Sequence, residues 1–121
     1  MDFEREFVKA GGLLLAGLDP TGNGGIVAGF GDLRQLELLV EAGFTPVEAI
    51  KIATLNGAKF LGEDARIGLI AIGKQADLMV VKGNPAATIS DIENVEIVFK
   101  EGVGYNSEKL IQSVQGLVGI R

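Results

Sequence analysis

Apolar residues recur at helical spacing in several stretches of the chain, and three of these stretches end at a glycine. Thr45-Pro46-Val47-Glu48 is a capping box with proline at the first helical position, so a helix is predicted to begin there. Asp32 and Ser107 stand where each can cap a further helix. The predicted helices are 3–10, 32–43, 46–61 and a short one that follows Ser107.

Short apolar runs between the helices predict strands. The run at 13–18 is continuous, which is typical of a strand buried on both faces in a parallel sheet, and it stops abruptly at Asp19-Pro20. The other predicted strands are 67–72, 77–81, 95–100 and a hairpin partner that contains Val103 and Tyr105. The order of elements is αβαα followed by a small, largely β region, so the fold class is α/β.

Composition and charge exclude several classes of function. The net charge of −5 argues against a nucleic-acid partner, and no apolar run approaches the ~20 residues of a membrane-spanning helix. The chain has no cysteine, which favours a cytoplasmic location, and no histidine. A Ser-His-Asp arrangement and a zinc site with imidazole or thiolate ligands are therefore excluded within this chain.

Asp19 is the candidate catalytic residue because of its position. It directly follows the buried run at 13–18, and catalytic groups in barrel enzymes stand at the carboxyl ends of strands. A carboxylate there could take a proton from a metal-bound water. The alternative is that Asp19-Pro20 simply begins a turn, which is a common role for aspartate.

Other polar residues favour structural roles. Glu37 and Glu41 lie four apart, as on a solvated helix face, and Asn56 is expected to make a structural hydrogen bond. The glycine-rich loop at 21–31 could cradle an anion or could be a flexible connection.

Taken together, the ordered motifs resemble the end of the metal-dependent amidohydrolase superfamily, in its imidazolonepropionase-like and related dipeptidase branch. The motifs are Ala16-Gly17-Leu18-Asp19, Glu37 to Pro46, Glu48-Ala49-Ile50, Ala53 to Gly62, Ile67-Gly68, Gly73 to Leu78 and Gly83-Asn84-Pro85. The resemblance covers nearly the whole chain. One departure is Leu18, which stands where the family usually has threonine or serine.

The resemblance implies a fragment of a (β/α)8 barrel joined to part of a small β-sandwich. Residues 1–62 would be the end of the barrel, with 13–18 as its last strand, and 63–121 the C-terminal part of the composite sandwich with a terminal helix. Asp19 matches the family's aspartate that binds the metal or moves a proton from the metal-bound hydroxide to the leaving group. The family's His-x-His pair, bridging lysine and later histidines belong to earlier strands.

The resulting expectation is a C-terminal fragment of a hydrolase that cleaves C–N bonds, cyclic amide or dipeptide-like, with metal-activated water. The fragment would be inactive alone and hold no cofactor; zinc or another divalent metal, and a small-molecule substrate, are implied for the intact parent. Uncovered edges at Leu13, Leu15 and Val80 predict a homo-oligomer. The alternative is a small autonomous binding or structural module, with a ligand pocket at 22–30.

Overall fold

The computed structural model describes residues 2–20, 26–27 and 29–117. Most of the predicted glycine-rich loop, and the last four residues of the predicted tail, lie outside these ranges. The helices are α1 (Asp2–Lys9), α2 (Phe30–Glu41), α3 (Pro46–Ala53), α4 (Leu55–Phe60) and α5 (Ser107–Ser113). The strands are β1 (Leu78–Val81), β2 (Val95–Lys100) and β3 (Val103–Asn106), with a 3-10 helix at Ile89–Glu93.

The capping box that begins α3 is confirmed in both directions. The Thr45 N–H donates to Glu48 Oε2 at 2.7 Å, and the Glu48 N–H donates to Thr45 Oγ1 at 3.3 Å. The Thr45 backbone bond, and then its hydroxyl bond, hold the pKa of the Glu48 carboxyl below its ordinary value. Two orphan donors of the first helical turn are thereby satisfied.

The prediction of one helix over 46–61 was wrong, because the helix breaks at Thr54. The Thr54 hydroxyl donates to the Ile50 carbonyl at 2.7 Å, while the Thr54 N–H turns to the Lys51 carbonyl at 3.3 Å. A threonine hydroxyl that bonds the carbonyl four residues back competes with the helical ladder and bends the helix. The helix therefore divides into α3 and α4.

The predicted caps of α2 and α5 were also wrong, by three residues for α2 and by one for α5. Helix α2 begins earlier, and Asp32 Oδ2 reaches back to accept from the Gly29 N–H at 3.1 Å. The N-cap of α5 is Asn106, whose Oδ1 accepts from the Lys109 N–H at 2.9 Å, so Ser107 is already helical. Asparagine and serine compete at such adjacent positions because both side chains can cap.

The three strands form an antiparallel sheet in the order β1-β2-β3. The hairpin at Glu101-Gly102 is confirmed, and Phe99 faces Leu78 on one side and Gly104 on the other. The predicted strand at 67–72 does not form. Its flanks close on each other instead, with the Gln75 N–H donating to the Arg66 carbonyl at 2.9 Å. Ile70 and Ile72 are left exposed, because no partner strand lies beside them among the described residues.

The predicted strand at 13–18, which we name the leucine segment, also has no regular secondary structure in the described part of the chain. A ladder requires a neighbouring strand, and the described residues supply none to it. None of the helices in the described ranges is long and apolar enough to cross a membrane.

The core lies among the helices rather than on the sheet. Its buried apolar residues come from α2, α3, α4, the α2–α3 connection and the 3-10 helix: Leu36, Phe44, Ala49, Ile52, Ala58 and Ile92. Leu13, Leu15 and Val80 were predicted to lie on uncovered edges. Leu13 and Val80 are 43% and 41% exposed, whereas Leu15 is half-buried. The described residues thus leave much apolar surface open to solvent.

Candidate active site

Two side-chain amides hold the leucine segment against the helices. Asn56 Nδ2 donates to the Leu14 carbonyl at 2.8 Å, and Gln35 Nε2 donates to the Gly17 carbonyl at 3.1 Å. Asn56 is only 9% exposed, and its predicted structural hydrogen bond is confirmed. Because the break at Thr54 makes Asn56 the second residue of α4, the asparagine stands at a helix start, where this residue type is favoured.

A close contact fixes the residue that precedes the candidate carboxylate. A Cβ placed on Gly31, in the first turn of α2, would lie 2.5 Å from Leu18 Cδ1 and 2.8 Å from Ile26 Cγ2. The glycine therefore lets the start of α2 approach the Leu18 side chain. This is a role for glycine that depends on the absence of a side chain rather than on its backbone freedom.

Asp19 lies on the surface directly after this contact, with a left-handed backbone at φ 42°. A non-glycine residue in this region costs about 1–3 kcal/mol and persists only where its surroundings impose it. Proline at position 20 adds to the conflict, because a residue before proline prefers the β or polyproline region. Such strain is concentrated at functional sites, so it supports Asp19 as a candidate functional residue.

Glu37 and Glu41 act as partners of one arginine. Arg34 contacts Glu37 Oε2 and Glu41 Oε1, each at 2.7 Å, and its own pKa is raised, first by the bond to Glu37. The predicted solvated face holds for Glu41, but the Glu37 side chain is only 17% exposed. These two carboxylates are therefore structural ion-pair partners of Arg34 rather than a reacting pair.

A shallow groove of about 550 Å³ opens beside the leucine segment and α2. Its walls are largely apolar, and Phe30 on its rim is 73% exposed. The residues that line it include Leu18, Val27, Phe30, Leu38, Arg34 and Glu93. The groove could hold an apolar group next to the strained turn at Asp19.

The described residues do not by themselves compose a metal site. The sequence contains no histidine and no cysteine, and no group of three or more acidic side chains in the described ranges could hold a metal ion. Asp19 could supply one oxygen ligand, whereas a catalytic zinc ion takes three protein ligands.

Asp77 and Asp91 hold turns of the C-terminal motifs together. Asp77 accepts from the Glu101 N–H and from Gln75 Nε2, each at 2.8 Å, and the Glu101 bond chiefly lowers the Asp77 pKa. Asp91 Oδ2 accepts from the Asn84 N–H at 2.8 Å, tight against Gly83 with its left-handed φ of 117°. These motifs stabilise the β region rather than build a reaction site.

Sequence analysis missed Gln35 and Gly31, which contact the residues just before Asp19. The available signal was their spacing, since residues four apart on a helix share one face. It could not show which segment that face meets, because Gln35 and Gly17 are 18 residues apart.

Residues 8–104 match the amidohydrolase family, and the chain belongs to this family. This is the family that the ordered motifs resemble, and the resemblance is confirmed. The described part of the chain is an α/β segment with a small antiparallel sheet. Membership of this family suggests hydrolysis of C–N bonds. A deaminase and a dipeptidase are among the similar proteins.

Among curated relatives, a 5'-deoxyadenosine deaminase of Methanobrevibacter smithii is 33% identical over 81 residues, 65% of this chain and 18% of the deaminase. An imidazolonepropionase of Syntrophobacter fumaroxidans is 38% identical over 48 residues, 40% of this chain and 11% of that enzyme. A crystal structure of a Xaa-Pro dipeptidase with methionine bound in its active site is 36% identical, with a TM-score of 0.76. That likeness covers 88% of this chain and 25% of the dipeptidase, so the chain spans a quarter or less of each of these proteins.

Proposed function

We propose that this chain is the C-terminal segment of a metal-dependent hydrolase that cleaves cyclic amide or dipeptide-like C–N bonds. Residues 1–62 would complete a (β/α)8 barrel, and residues 63–121 would form the C-terminal part of a composite β-sandwich. The observation that carries the proposal is the strained Asp19 at the end of an apolar segment, in a chain of the amidohydrolase family.

The packing of the leucine segment supports the barrel reading. Its sequence is apolar on both faces, and Gln35 of α2 and Asn56 of α4 donate hydrogen bonds to two of its carbonyls. In a barrel, a parallel strand on either side would pair with the backbone groups that the two amides leave open. Exposed Leu13 would then be covered by the neighbouring strands and helices.

The chemistry that we assign to this chain is limited to one carboxylate. The Asp19 carboxylate can accept and return a proton next to a bound substrate. Zinc or another divalent metal would supply the activated water in the intact parent, and no group of three or more acidic side chains in the described ranges could hold it. The isolated chain is therefore proposed to be inactive.

Metal content and hydrolysis test the isolated chain directly. After dialysis against zinc, the purified chain is expected to retain no stoichiometric metal and to hydrolyse neither dipeptides nor cyclic amides. A metal-loaded monomer with amidase activity would contradict the proposal of an inactive segment.

A graft tests the positive part of the proposal. Residues 8–104 would replace the matching region of the Xaa-Pro dipeptidase, which retains its own earlier strands. We expect the graft to cleave a dipeptide and Asp19→Asn to abolish cleavage, while Asp64→Asn, at an exposed position in the β region, leaves it unchanged. Activity that survives Asp19→Asn removes Asp19 from the catalytic machinery.

The apolar groove keeps a second function open, that of a small binding module without catalysis. A metabolite that occupies the groove at 100 times its dissociation constant stabilises the folded chain by about 2.7 kcal/mol. A thermal-shift screen of the isolated chain against a metabolite library measures this. A clear stabilisation together with an inactive graft would favour the binding module over the hydrolase segment.

A further inference from the structure

One face of α2 fixes the two residues that lead into Asp19. Gly31 and Gln35 are four apart on this helix and so share a face. Gly31 lies against the Leu18 side chain, and Gln35 Nε2 bonds the Gly17 carbonyl at 3.1 Å. The backbone of Gly17 and the side chain of Leu18 are thus both held in place directly before the candidate carboxylate.

The left-handed backbone of Asp19 requires such an external constraint. A positive φ is uncommon for any residue with a Cβ, although aspartate adopts it more readily than most, and the following proline opposes φ 42°. Proline fixes its own φ at about −65°, so the chain after Asp19 is also restricted. With both sides restricted, the Asp19 torsions absorb the change of direction at the end of the leucine segment.

We propose that Gln35 is a positioning residue for Asp19, which through its bond to the Gly17 carbonyl holds the left-handed turn and so aims the carboxylate. The importance of that aim for catalysis rests on the proposed function, but the effect on the backbone does not. Gln35 acts through its bond to the Gly17 carbonyl, two residues before Asp19.

The first test measures the backbone of Asp19 in the full chain by NMR. A positive φ brings the amide proton and Hα of one residue unusually close, which gives a strong intraresidue cross-peak. We expect a strong nuclear Overhauser cross-peak in the native chain, and a several-fold weaker one in Gln35→Glu and Gln35→Leu, which remove the donor. Gln35→Lys restores a donor and should restore the cross-peak.

The matched control is Gln112→Glu on α5, where the lost amide donates to Glu108 Oε1 at 3.1 Å and lies far along the chain from the site. It should leave the Asp19 cross-peak unchanged. The inference is overturned if folded Gln35→Glu or Gln35→Leu keeps a native cross-peak. It is equally overturned if the native chain shows only a weak Asp19 cross-peak, as a negative φ would give. That result does not require any variant to fold.

The second test uses the graft on the dipeptidase. Gln35→Glu is expected to lower kcat roughly 100-fold with little change in KM, the scale of loss that a misplaced group produces. Gln35→Lys should recover most of the rate. A graft that is inactive with native Gln35 counts against the proposed function alone, whereas an active graft indifferent to Gln35→Glu counts against the positioning role alone.

Discussion

Replacing Asp19 by glycine and, separately, by alanine separates the cost of its backbone from the contribution of its side chain. Both variants lose the carboxylate and every contact that it makes, so those losses cancel in the comparison. Alanine keeps a Cβ, which costs about 1–2 kcal/mol in a left-handed backbone such as φ 42°. Glycine loses more freedom on folding, a penalty of about 0.5–1 kcal/mol. Asp19→Gly should therefore be more stable than Asp19→Ala by about 0.7 kcal/mol.

Urea unfolding of both variants measures this difference as a change of midpoint at constant slope. In a thermal scan it corresponds to roughly 3 °C for a chain of this size. The matched control is the same pair of substitutions at Asp64, which is not among the left-handed non-glycine residues of the described chain. There alanine should be the more stable. If Asp19→Ala equals or exceeds Asp19→Gly, the left-handed turn does not exist in solution and the positioning role of Gln35 fails with it.

Three further outcomes follow from the same contacts. Thr45→Ala should destabilise the chain by about 1 kcal/mol in urea unfolding, because the capping box loses its side-chain acceptor, and Thr45→Ser should retain most of the stability. The Asp77 pKa is lowered from 3.8 by the Glu101 N–H, so the stability it contributes is present above pH 3.8 and is lost as the pH falls through the lowered value. Asp77→Asn should therefore show a smaller drop in urea midpoint between pH 7 and pH 3. Light scattering at micromolar concentration should show a dimer or larger assembly that covers Leu13 and Val80, and a clean monomer would contradict this.

Local signals predicted the elements whose stabilising contacts lie within a few residues. The capping box at Thr45 fixed the start of α3 to the residue, because both its hydrogen bonds join positions three apart. The same reasoning failed at Thr54, where the side chain competes with the backbone for the Ile50 carbonyl. A threonine inside a helical pattern permits either outcome, and the pattern of apolar residues does not distinguish them.

Strand predictions depended on partners that the sequence does not identify. The runs 77–81 and 95–100 became β1 and β2 because each pairs with the other, with one register shift between Val80 and Val81. The equally apolar run 67–72 has no such partner in the described part of the chain, and it forms a loop closed by Gln75 and Arg66. Apolar alternation therefore predicts the capacity to be a strand, while the neighbour decides whether one forms.

The candidate site likewise combines a residue that a local rule predicts with residues that only long-range contacts identify. Asp19 could be found because a rule about strand ends applies to adjacent positions, 18 and 19. The residues that hold it could not, since Gln35 and Asn56 reach the leucine segment across 18 and 42 positions. Long-range hydrogen bonds of single amides carry no periodic signal.

Two partners could bury the exposed apolar surface, namely a second copy of this chain or earlier barrel strands. They predict different effects of substitutions at the same residues. If copies of this chain cover Leu13 and Val80, Leu13→Asp and Val80→Asp should each release the assembly without changing how α2 meets α3. If earlier barrel strands cover Leu13, its substitution should instead abolish activity of the graft, where no second copy is needed. The leucine segment already has two backbone carbonyls satisfied by amides of α2 and α4, so it is held in place before either cover arrives. That arrangement favours a segment prepared for strand pairing, and the hold on its carbonyls accounts for a strained backbone at Asp19, directly after it.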